Sequence, residues 1–305
     1  MTPLVDLHRH LEGSIRPATA LEFADRLGAA TRREALVAAG HEGGLLPYLA
    51  KIETASALAR TLDDWHRITA EAIADAHDDG LAAVELRFAP EFIAGVAGVD
   101  ADDVIDAVSD AAATAGLPVD VDLIGIIVRD QGPDSALVQA RRLLRHADVL
   151  AGADLAGDEA GYPVTLFAPA FRMVRDAGIP VTIHAGEAAG PRSVWDALSL
   201  GPKRIGHGVR GAEDPRLLEH LAASGVTLEV AVTSNVQTGA ARSRESHQLA
   251  ALVKAGVRVA LCTDNPSVSD TRLSREYEVA ASLVDEASLD LIRRHAAEAR
   301  FGAAR

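Results

Sequence analysis

The regular recurrence of short apolar segments limits the fold of this chain more than any other feature. Eight such segments are separated, for the most part, by stretches in which apolar residues recur with helical spacing. They are Leu4–His8, Ala83–Phe88, Val119–Val128, Val149–Leu155, Pro180–His184, Arg204–Gly206, Val226–Val232 and Val257–Thr263. Most are continuously apolar, which is typical of parallel strands covered on both faces. Strand and helix alternating eight times predicts an α/β fold, a (β/α)8 TIM barrel.

Polar side chains follow many of these segments and favour a closed barrel over an open doubly wound sheet. The residues in question are His8, His10, His184, Glu187, His207 and Asp264. In a closed ring, the carboxyl ends of all strands converge on one mouth, whereas strands near opposite edges of an open sheet could not share a ligand. The chain also lacks a G-x-G-x-x-G motif after the first segment, the signature of the dinucleotide-binding open sheet.

The segment between the first two predicted strands is too long for a simple connection. Within residues 11–79, helical spacing recurs in Ala18–Leu27, Arg32–Ala39 and Leu62–Ala76. An insertion of this size at a barrel mouth commonly forms a lid or a pocket wall. We therefore expect a single barrel domain over residues 1–305, with residues 11–79 as a helical lid.

Charge and cysteine content limit the partners and the compartment. The formal net charge of −14 repels phosphate backbones and anionic membranes, so we expect a small-molecule partner, no nucleic acid polymer and no membrane.

Cys262 is the only cysteine, which excludes an internal disulfide and a cysteine-based zinc cluster. Because the sequence has neither a secretory leader nor an apolar stretch of spanning length, we expect a cytoplasmic protein. Nothing in the sequence indicates the oligomeric state.

Four of the polar residues form a plausible zinc ligand set. His8 and His10 are spaced so that both side chains leave an extended strand on the same side. His184 and Asp264 follow the fifth and eighth segments, and the eighth strand of a closed barrel neighbours the first. Three imidazole nitrogens and one carboxylate suit Zn2+ and leave a position for water, although iron, cobalt or manganese also accept such ligands.

The absence of a suitably placed lysine indicates one metal ion per chain. Many metal hydrolases on this barrel hold two metals bridged by a modified lysine after the fourth strand. The three lysines here are Lys51, Lys203 and Lys254, and none follows Val149–Leu155. A lysine-bridged dinuclear site is therefore excluded, and we expect a single Zn2+.

Glu187 and His207 are the predicted acid–base groups. Glu187 lies three residues after His184 in His-Ala-Gly-Glu, where small residues let the carboxyl face the cavity as a proton carrier. His207, between two glycines, is either a fifth ligand or a hydrogen-bond partner of the attacking hydroxide. The other histidines lie on or beside helical stretches, and we interpret them as surface or packing residues. They are His41, His66, His77, His146, His220, His247 and His295.

Seven motifs run in order along essentially the whole chain. They are HRHLEGSIRP (8–17), VELRFAP (84–90), DLAGDE (154–159), HAGEAAGP (184–191), RIGHG (204–208), TSNVQTGA (233–240) and TDNP (263–266). Together they make the chain resemble the adenosine deaminase family of zinc-dependent purine aminohydrolases. The resemblance implies hydrolytic deamination of adenosine and 2′-deoxyadenosine to inosine and 2′-deoxyinosine, with release of ammonia.

The resemblance also implies a role for each matching residue. Zinc would be held by His8, His10, His184 and Asp264. Glu187 would protonate N1 of the purine, and His207 would orient the hydroxide that attacks C6. The substrate would be contacted by His10, by the backbone N–H of Gly157 at N3, by Asn265 at N7 and by Glu12 at a sugar hydroxyl.

Two positions depart from the common family pattern. Asn265 stands where the family often has an aspartate, and an amide can donate to N7 without first being protonated. Glu12 replaces a commoner aspartate and is one methylene longer. Altered pH dependence and a different substituent at the 5′ end of the substrate, as in 6-aminodeoxyfutalosine, are therefore expected alternatives.

Three other functions stay open at the level of sequence. A sister enzyme would deaminate adenine or 6-aminodeoxyfutalosine, although TSNVQTG (233–239) resembles the nucleoside branch more closely. A non-catalytic nucleoside-binding protein would have no need of an intact Glu187 and ligand set. An unrelated metal-assisted amidase or phosphoesterase could use Arg87 and Arg129 at the mouth, but we interpret these arginines as members of strand-end ion pairs.

Overall fold

Eight strands lie where the eight apolar segments predict them. The computed structural model describes residues 2–302. Its strands are β1 Leu4–His10, β2 Leu81–Phe88, β3 Asp120–Val128, β4 Leu150–Ala156, β5 Thr182–Ala185, β6 Arg204–His207, β7 Thr227–Val230 and β8 Arg258–Leu261. Each overlaps one predicted segment, and their interiors are almost entirely buried. The prediction of eight strands is confirmed.

The strands are parallel and close into a barrel. Consecutive strands pair from β1 to β4 and from β5 to β8. A bridge between Ala153 and Val181 joins β4 to β5, with the Ala153 N–H donating to the Pro180 carbonyl at 3.0 Å. At the other seam, the His10 N–H donates to the Asp264 carbonyl at 2.8 Å, and the Asp264 N–H donates to the His8 carbonyl at 2.7 Å. The predicted TIM barrel is confirmed, and the residues that close it include three of the predicted metal ligands.

Helices connect the strands and cover the outside of the barrel. They are α1 Pro17–Leu27, α2 Arg33–Leu36, α3 Leu45–Ser56, α4 Leu62–Asp78, α5 Pro90–Ala97, α6 Ala101–Thr114, α7 Gly132–Arg145, α8 Ala168–Asp176, α9 Pro191–Leu198, α10 Pro215–Ser224, α11 Val232–Gln237, α12 Leu249–Lys254, α13 Pro266–Ser269, α14 Leu273–Ala280 and α15 Glu286–Ala299. Within residues 2–302, no helix combines the length and the apolar character that a membrane span requires.

Helix α4 illustrates how the sequence fixes these elements. Its buried face follows helical spacing through Trp65, Ile68, Ala72 and Ile73, and it packs against β2. At its start, the Thr61 side chain accepts the Asp64 N–H while the Asp64 carboxylate accepts the Thr61 N–H. This capping box satisfies two backbone N–H groups that would otherwise lack partners.

Four helices, α1 to α4, lie between β1 and β2, where the sequence predicts a helical insertion. The predicted helix Arg32–Ala39 is shorter in the structure, because Val37 is extended and the Ala38 N–H donates instead to the Val268 carbonyl at 2.8 Å. Helix α3 was not predicted, and Pro47 lies in its first turn, where a missing N–H costs no helical hydrogen bond. The use of residues 11–79 as a lid, and the single-domain organisation, stay predictions.

Charged side chains fill the interior of the barrel beneath its mouth. Glu229 of β7 forms ion pairs with Arg87 of β2 at 3.0 Å and with Arg204 of β6 at 2.6 Å. Arg87 also pairs with Asp154 of β4 at 2.8 Å. All four side chains are buried, so each charge depends on its partners to offset the cost of leaving water. Arg87 is therefore an ion-pair residue, as expected. For Arg129 the same prediction is wrong, because its guanidinium donates to the carbonyls of Tyr162 and His184 instead.

Candidate metal centre and active site

The four predicted ligands converge at the mouth of the barrel. His8 and His10 end β1, His184 lies in β5, and Asp264 follows β8; one potential ligand atom from each lies within 4.8 Å of all the others. The Nε2 atom of His10 is 3.1 Å from Nε2 of His8 and 3.2 Å from Nε2 of His184. Asp264 Oδ1 lies 3.3 Å from the Nε2 atoms of both His8 and His10. This cluster of nitrogen and carboxylate donors fits a Zn2+ ion.

Two buried carboxylates orient two of the histidines. Glu229 Oε2 lies 2.8 Å from His8 Nδ1, and Asp154 Oδ2 lies 3.0 Å from His184 Nδ1. Burial opposes ionisation of Glu229, but the charges of Arg87 and Arg204 hold the pKa of its carboxyl below the ordinary value. Each carboxylate can therefore accept the Nδ1–H of its histidine, which leaves the Nε2 lone pair free for a metal.

Asp154 and Glu229 were not predicted from the sequence as residues that support the metal ligands. Each is an acidic residue within an otherwise buried strand, Asp154 in LAGADLA and Glu229 in TLEV. A carboxylate at such a position needs a buried partner, so this pattern is a signal that could have identified both.

The backbone at Asp264 and His207 is held in the left-handed region. Both residues have φ of 62°, which is uncommon for a residue other than glycine. Asp264 Oδ2 accepts a hydrogen bond from Ser234 Oγ at 2.5 Å, while Oδ1 faces the histidines. Such backbone strain persists only where surrounding contacts maintain it, and it is concentrated at functional positions.

Glu187 lies beside the ligand set and is suited to carry a proton. Burial, followed by the negative charges of Asp264 and Glu159, raises the pKa of the Glu187 carboxyl well above its ordinary value. The raised pKa favours the protonated carboxyl, which is the form that can donate to a reacting atom. Its Oε2 lies 3.5 Å from His207 Nε2.

Glu159 holds the loop that carries Glu187. Its buried carboxylate accepts the backbone N–H groups of Gly186 at 2.6 Å, Glu187 at 3.0 Å, Ala188 at 2.7 Å and Ala189 at 3.1 Å. Four bonds to one carboxylate fix the loop after β5. Glu159 belongs to the motif DLAGDE, but its contact with this loop, which joins the loops after two neighbouring strands, was not predicted.

A cavity opens beside the metal cluster, and all of the predicted substrate-contacting residues line it. These are His10, Glu12, Gly157 and Asn265, and Glu187 and His207 line it as well. An apolar wall is formed by Leu45, Leu49 and Ile52 of α3, with Phe92, Ile126 and Val128. The structure therefore brings the predicted site residues together, while their individual roles stay predictions.

Two predicted substrate contacts carry buried oxygens without a hydrogen-bond partner in the described part of the chain. Glu12 Oε1 accepts the Ala89 N–H at 2.7 Å, but Oε2 has no partner, and burial raises the pKa of this carboxyl to about 7. Asn265 Oδ1 is the second such atom. Gly13 must lack a side chain here, since a Cβ would lie 1.9 Å from Asn265 Oδ1.

The sequence is similar to that of known proteins over almost its whole length. A sequence model of the family described as adenosine deaminase matches residues 3–304. The chain belongs to the adenosine deaminase family. The adenosine deaminase of Shewanella denitrificans is 39% identical over 312 residues, covering 98% of this chain and 94% of that protein. The adenosine deaminase of Klebsiella pneumoniae is 40% identical over 290 residues, covering 92% of this chain and 87% of that protein.

Solved structures similar to this member of the adenosine deaminase family include proteins named as deaminases of different purines. The adenine deaminase of Arthrobacter aurescens superposes with a TM-score of 0.90 at 25% identity, covering 99% of this chain and 94% of that one. An amidohydrolase of Burkholderia ambifaria with bound Zn gives 0.89 at 27% identity, with coverage of 98% and 85%. The N6-methyl-AMP deaminase of Arabidopsis thaliana gives 0.85 at 26% identity, with coverage of 98% and 92%.

Proposed function

We propose that this protein is a zinc-dependent deaminase that hydrolyses adenosine and 2′-deoxyadenosine to inosine and 2′-deoxyinosine, with release of ammonia. The observation that carries the proposal is the convergence of His8, His10, His184 and Asp264 beside the buried carboxyl of Glu187, whose pKa is raised well above its ordinary value by burial. Membership of the adenosine deaminase family and the adenosine deaminases at 39–40% identity support the same activity.

The site residues have separate roles in the proposed reaction. His8, His10, His184 and Asp264 would hold the Zn2+ ion, which would acidify a water molecule and so supply a nucleophile near neutral pH. Glu187 gives its proton to N1 of the purine, which makes C6 more electrophilic. Addition of water at C6 then makes this carbon tetrahedral, and the C6–N bond breaks to release ammonia. His207, whose Nε2 lies 3.5 Å from Glu187 Oε2, orients the attacking water.

Substrate binding follows from the walls of the cavity. The apolar side chains of α3 and β3 pack against the purine ring. We assign the Gly157 N–H to N3 and the Asn265 amide to N7. The unpartnered Glu12 Oε2 would accept a hydrogen bond from a sugar hydroxyl, which favours a nucleoside over the free base.

The charges around the cavity favour a nucleoside over a nucleotide. Glu12, Glu53 and Asp130 line it, and among the described residues that line it there is neither a lysine nor an arginine. A 5′-phosphate would therefore meet negative charge without a compensating cation. We accordingly assign this chain a nucleoside substrate, although it is similar in fold to an N6-methyl-AMP deaminase.

A substrate panel tests the proposal. Zinc-loaded protein is incubated with adenosine, 2′-deoxyadenosine, adenine, AMP and 6-aminodeoxyfutalosine, and the decrease of adenine-band absorbance is followed. We expect the two nucleosides to give the highest kcat/KM. Turnover of adenine alone would refute the nucleoside assignment, and binding of adenosine without turnover of any of the five would support a non-catalytic nucleoside-binding protein instead.

The remaining expectations belong to the same proposal. We infer one Zn2+ per chain, a small purine nucleoside as partner in place of nucleic acid or membrane, and a cytoplasmic location. The four-residue ligand set supports the first of these inferences, and the net charge of −14 supports the second. Metal analysis of the purified protein tests the first, since a ratio of two zinc ions per chain would contradict it.

A further inference from the structure

A chain of hydrogen bonds runs from a backbone amide to the imidazole of His207. The Leu249 N–H donates to His247 Nδ1 at 3.0 Å, His247 Nε2 lies 3.2 Å from Asn235 Oδ1, and Asn235 Nδ2 lies 2.9 Å from His207 Nδ1. His247, Asn235 and His207 are all buried, at 5%, 0% and 1% exposure, so water does not compete for these contacts.

The backbone N–H of Leu249 fixes the direction of every hydrogen bond in this series. A backbone N–H can only donate, so His247 Nδ1 must be the acceptor and the proton of the neutral ring is on Nε2. Burial lowers the pKa of His247 to about 4, which keeps the ring neutral near pH 7. The Nε2–H therefore donates to Asn235 Oδ1.

The amide of Asn235 determines that Nδ1 of His207 accepts a hydrogen bond. With Oδ1 accepting from His247, its Nδ2 faces His207 Nδ1 and donates to it. The reversed amide would place its N–H group against the His247 N–H, leaving two buried donors opposed. His207 Nδ1 is thus an acceptor, and the proton of the neutral His207 ring is on Nε2, the nitrogen facing Glu187.

We propose that His247 and Asn235 are positioning residues that hold His207 as its Nε2–H tautomer, so that His207 enters the reaction as a hydrogen-bond donor. In this tautomer Nε2 has no lone pair, and Nδ1 is occupied by Asn235. Of the two roles that the sequence leaves open for His207, a fifth metal ligand and a partner of the attacking water, the tautomer selects the second. The catalytic part of this inference rests on the proposed function, whereas the tautomer itself does not.

The tautomer can be read directly by NMR, without metal or substrate. Protein labelled with 15N in its histidine rings gives a long-range 1H–15N spectrum in which protonated and bare ring nitrogens differ in shift, and a His207→Gln sample identifies the His207 signals. We expect the His207 proton on Nε2 in metal-free and in zinc-loaded protein. A proton on Nδ1 in the unaltered protein would overturn the proposal.

Variants connect the tautomer to turnover. His247→Phe removes the donor to Asn235, and we expect mixed tautomers of His207 and a kcat for adenosine lower by about 10- to 100-fold, with KM and zinc content unchanged. His247→Gln carries an N–H near the position of Nε2, and we expect it to recover most of kcat and the Nε2–H signal. His220→Phe is the matched control, since His220 is exposed on α10.

Further outcomes separate this inference from its alternatives. If His247→Phe keeps both the His207 signal and kcat of the unaltered protein, the proposal is wrong. Should that variant not fold, Asn235→Leu takes its place, because leucine has a similar shape but no N–H to donate, and we expect mixed tautomers of His207; an unchanged Nε2–H signal there would also overturn the proposal. An unaltered protein that deaminates no 6-aminopurine would refute the proposed function while leaving the NMR result in force.

Discussion

Replacing Glu12 by glutamine tests the electrostatics of the cavity wall. The carboxyl is 4% exposed, Oε1 accepts the Ala89 N–H at 2.7 Å, and Oε2 has no partner within residues 2–302. Burial raises its pKa from 4.5 to about 7, against the opposing effect of the Ala89 N–H. Glutamine keeps an acceptor for Ala89 but cannot ionise, so the substitution isolates the effect of the buried charge.

The sign and size of the effect follow from the two pKa values. In the unfolded chain the carboxyl ionises near pH 4.5, whereas in the folded protein it keeps its proton until about pH 7. Between these values the folded state binds more protons, so the free energy of unfolding falls as pH rises and the loss is complete above pH 7. The difference corresponds to about 3 kcal/mol, or about 5 °C in Tm for a chain of this length.

Thermal unfolding of both proteins at pH 5, 6, 7 and 8 under the same zinc concentration measures this effect. We expect Glu12→Gln to gain stability relative to the unaltered protein as pH rises, with most of the gain between pH 5 and pH 7. Glu53→Gln controls for the loss of one charge from an exposed cavity residue. A difference between Glu12→Gln and the unaltered protein that is independent of pH, or that changes in the opposite direction, would refute the reasoning.

Three further substitutions test individual roles. Glu187→Gln should retain zinc but lower kcat by about 10²- to 10⁴-fold, since it cannot supply the proton; near-normal turnover would remove its assigned role. Asp154→Asn should weaken the hold on His184 and lower zinc affinity by about 10- to 100-fold in a chelator competition, and an unchanged Kd would contradict this. Asn265→Asp should raise KM for adenosine at neutral pH and less so in acid, where the carboxyl can donate to N7; a KM independent of pH would show that residue 265 does not donate there.

The strands could be predicted because a parallel strand covered on both faces appears in the sequence as a short, continuous apolar run. The end of such a run is less informative. The segment predicted as a strand through Val232 ends as a strand at Val230, and α11 begins at Val232. The same apolar residues suit a buried strand and a buried helix, so the boundary depends on tertiary packing.

The metal ligands could be predicted for a related reason. Each follows an apolar run, and a closed barrel brings all strand ends to one mouth. The supporting contacts are different, because they join residues remote in sequence: Glu229 and His8 are 221 positions apart. His247 was interpreted as a surface or packing residue. Its hydrogen bond to Asn235 depends on the conformation of a loop, which the local sequence pattern does not predict.

Zinc titration into metal-free protein, with the rate of inosine formation from adenosine as the readout, tests the central claim most directly. A single ion held by His8, His10, His184 and Asp264 predicts a rate that rises in proportion to added zinc and becomes constant at one equivalent per chain. A rate that continues to rise to two equivalents, or a protein with one tightly bound zinc that forms no inosine, would contradict the account.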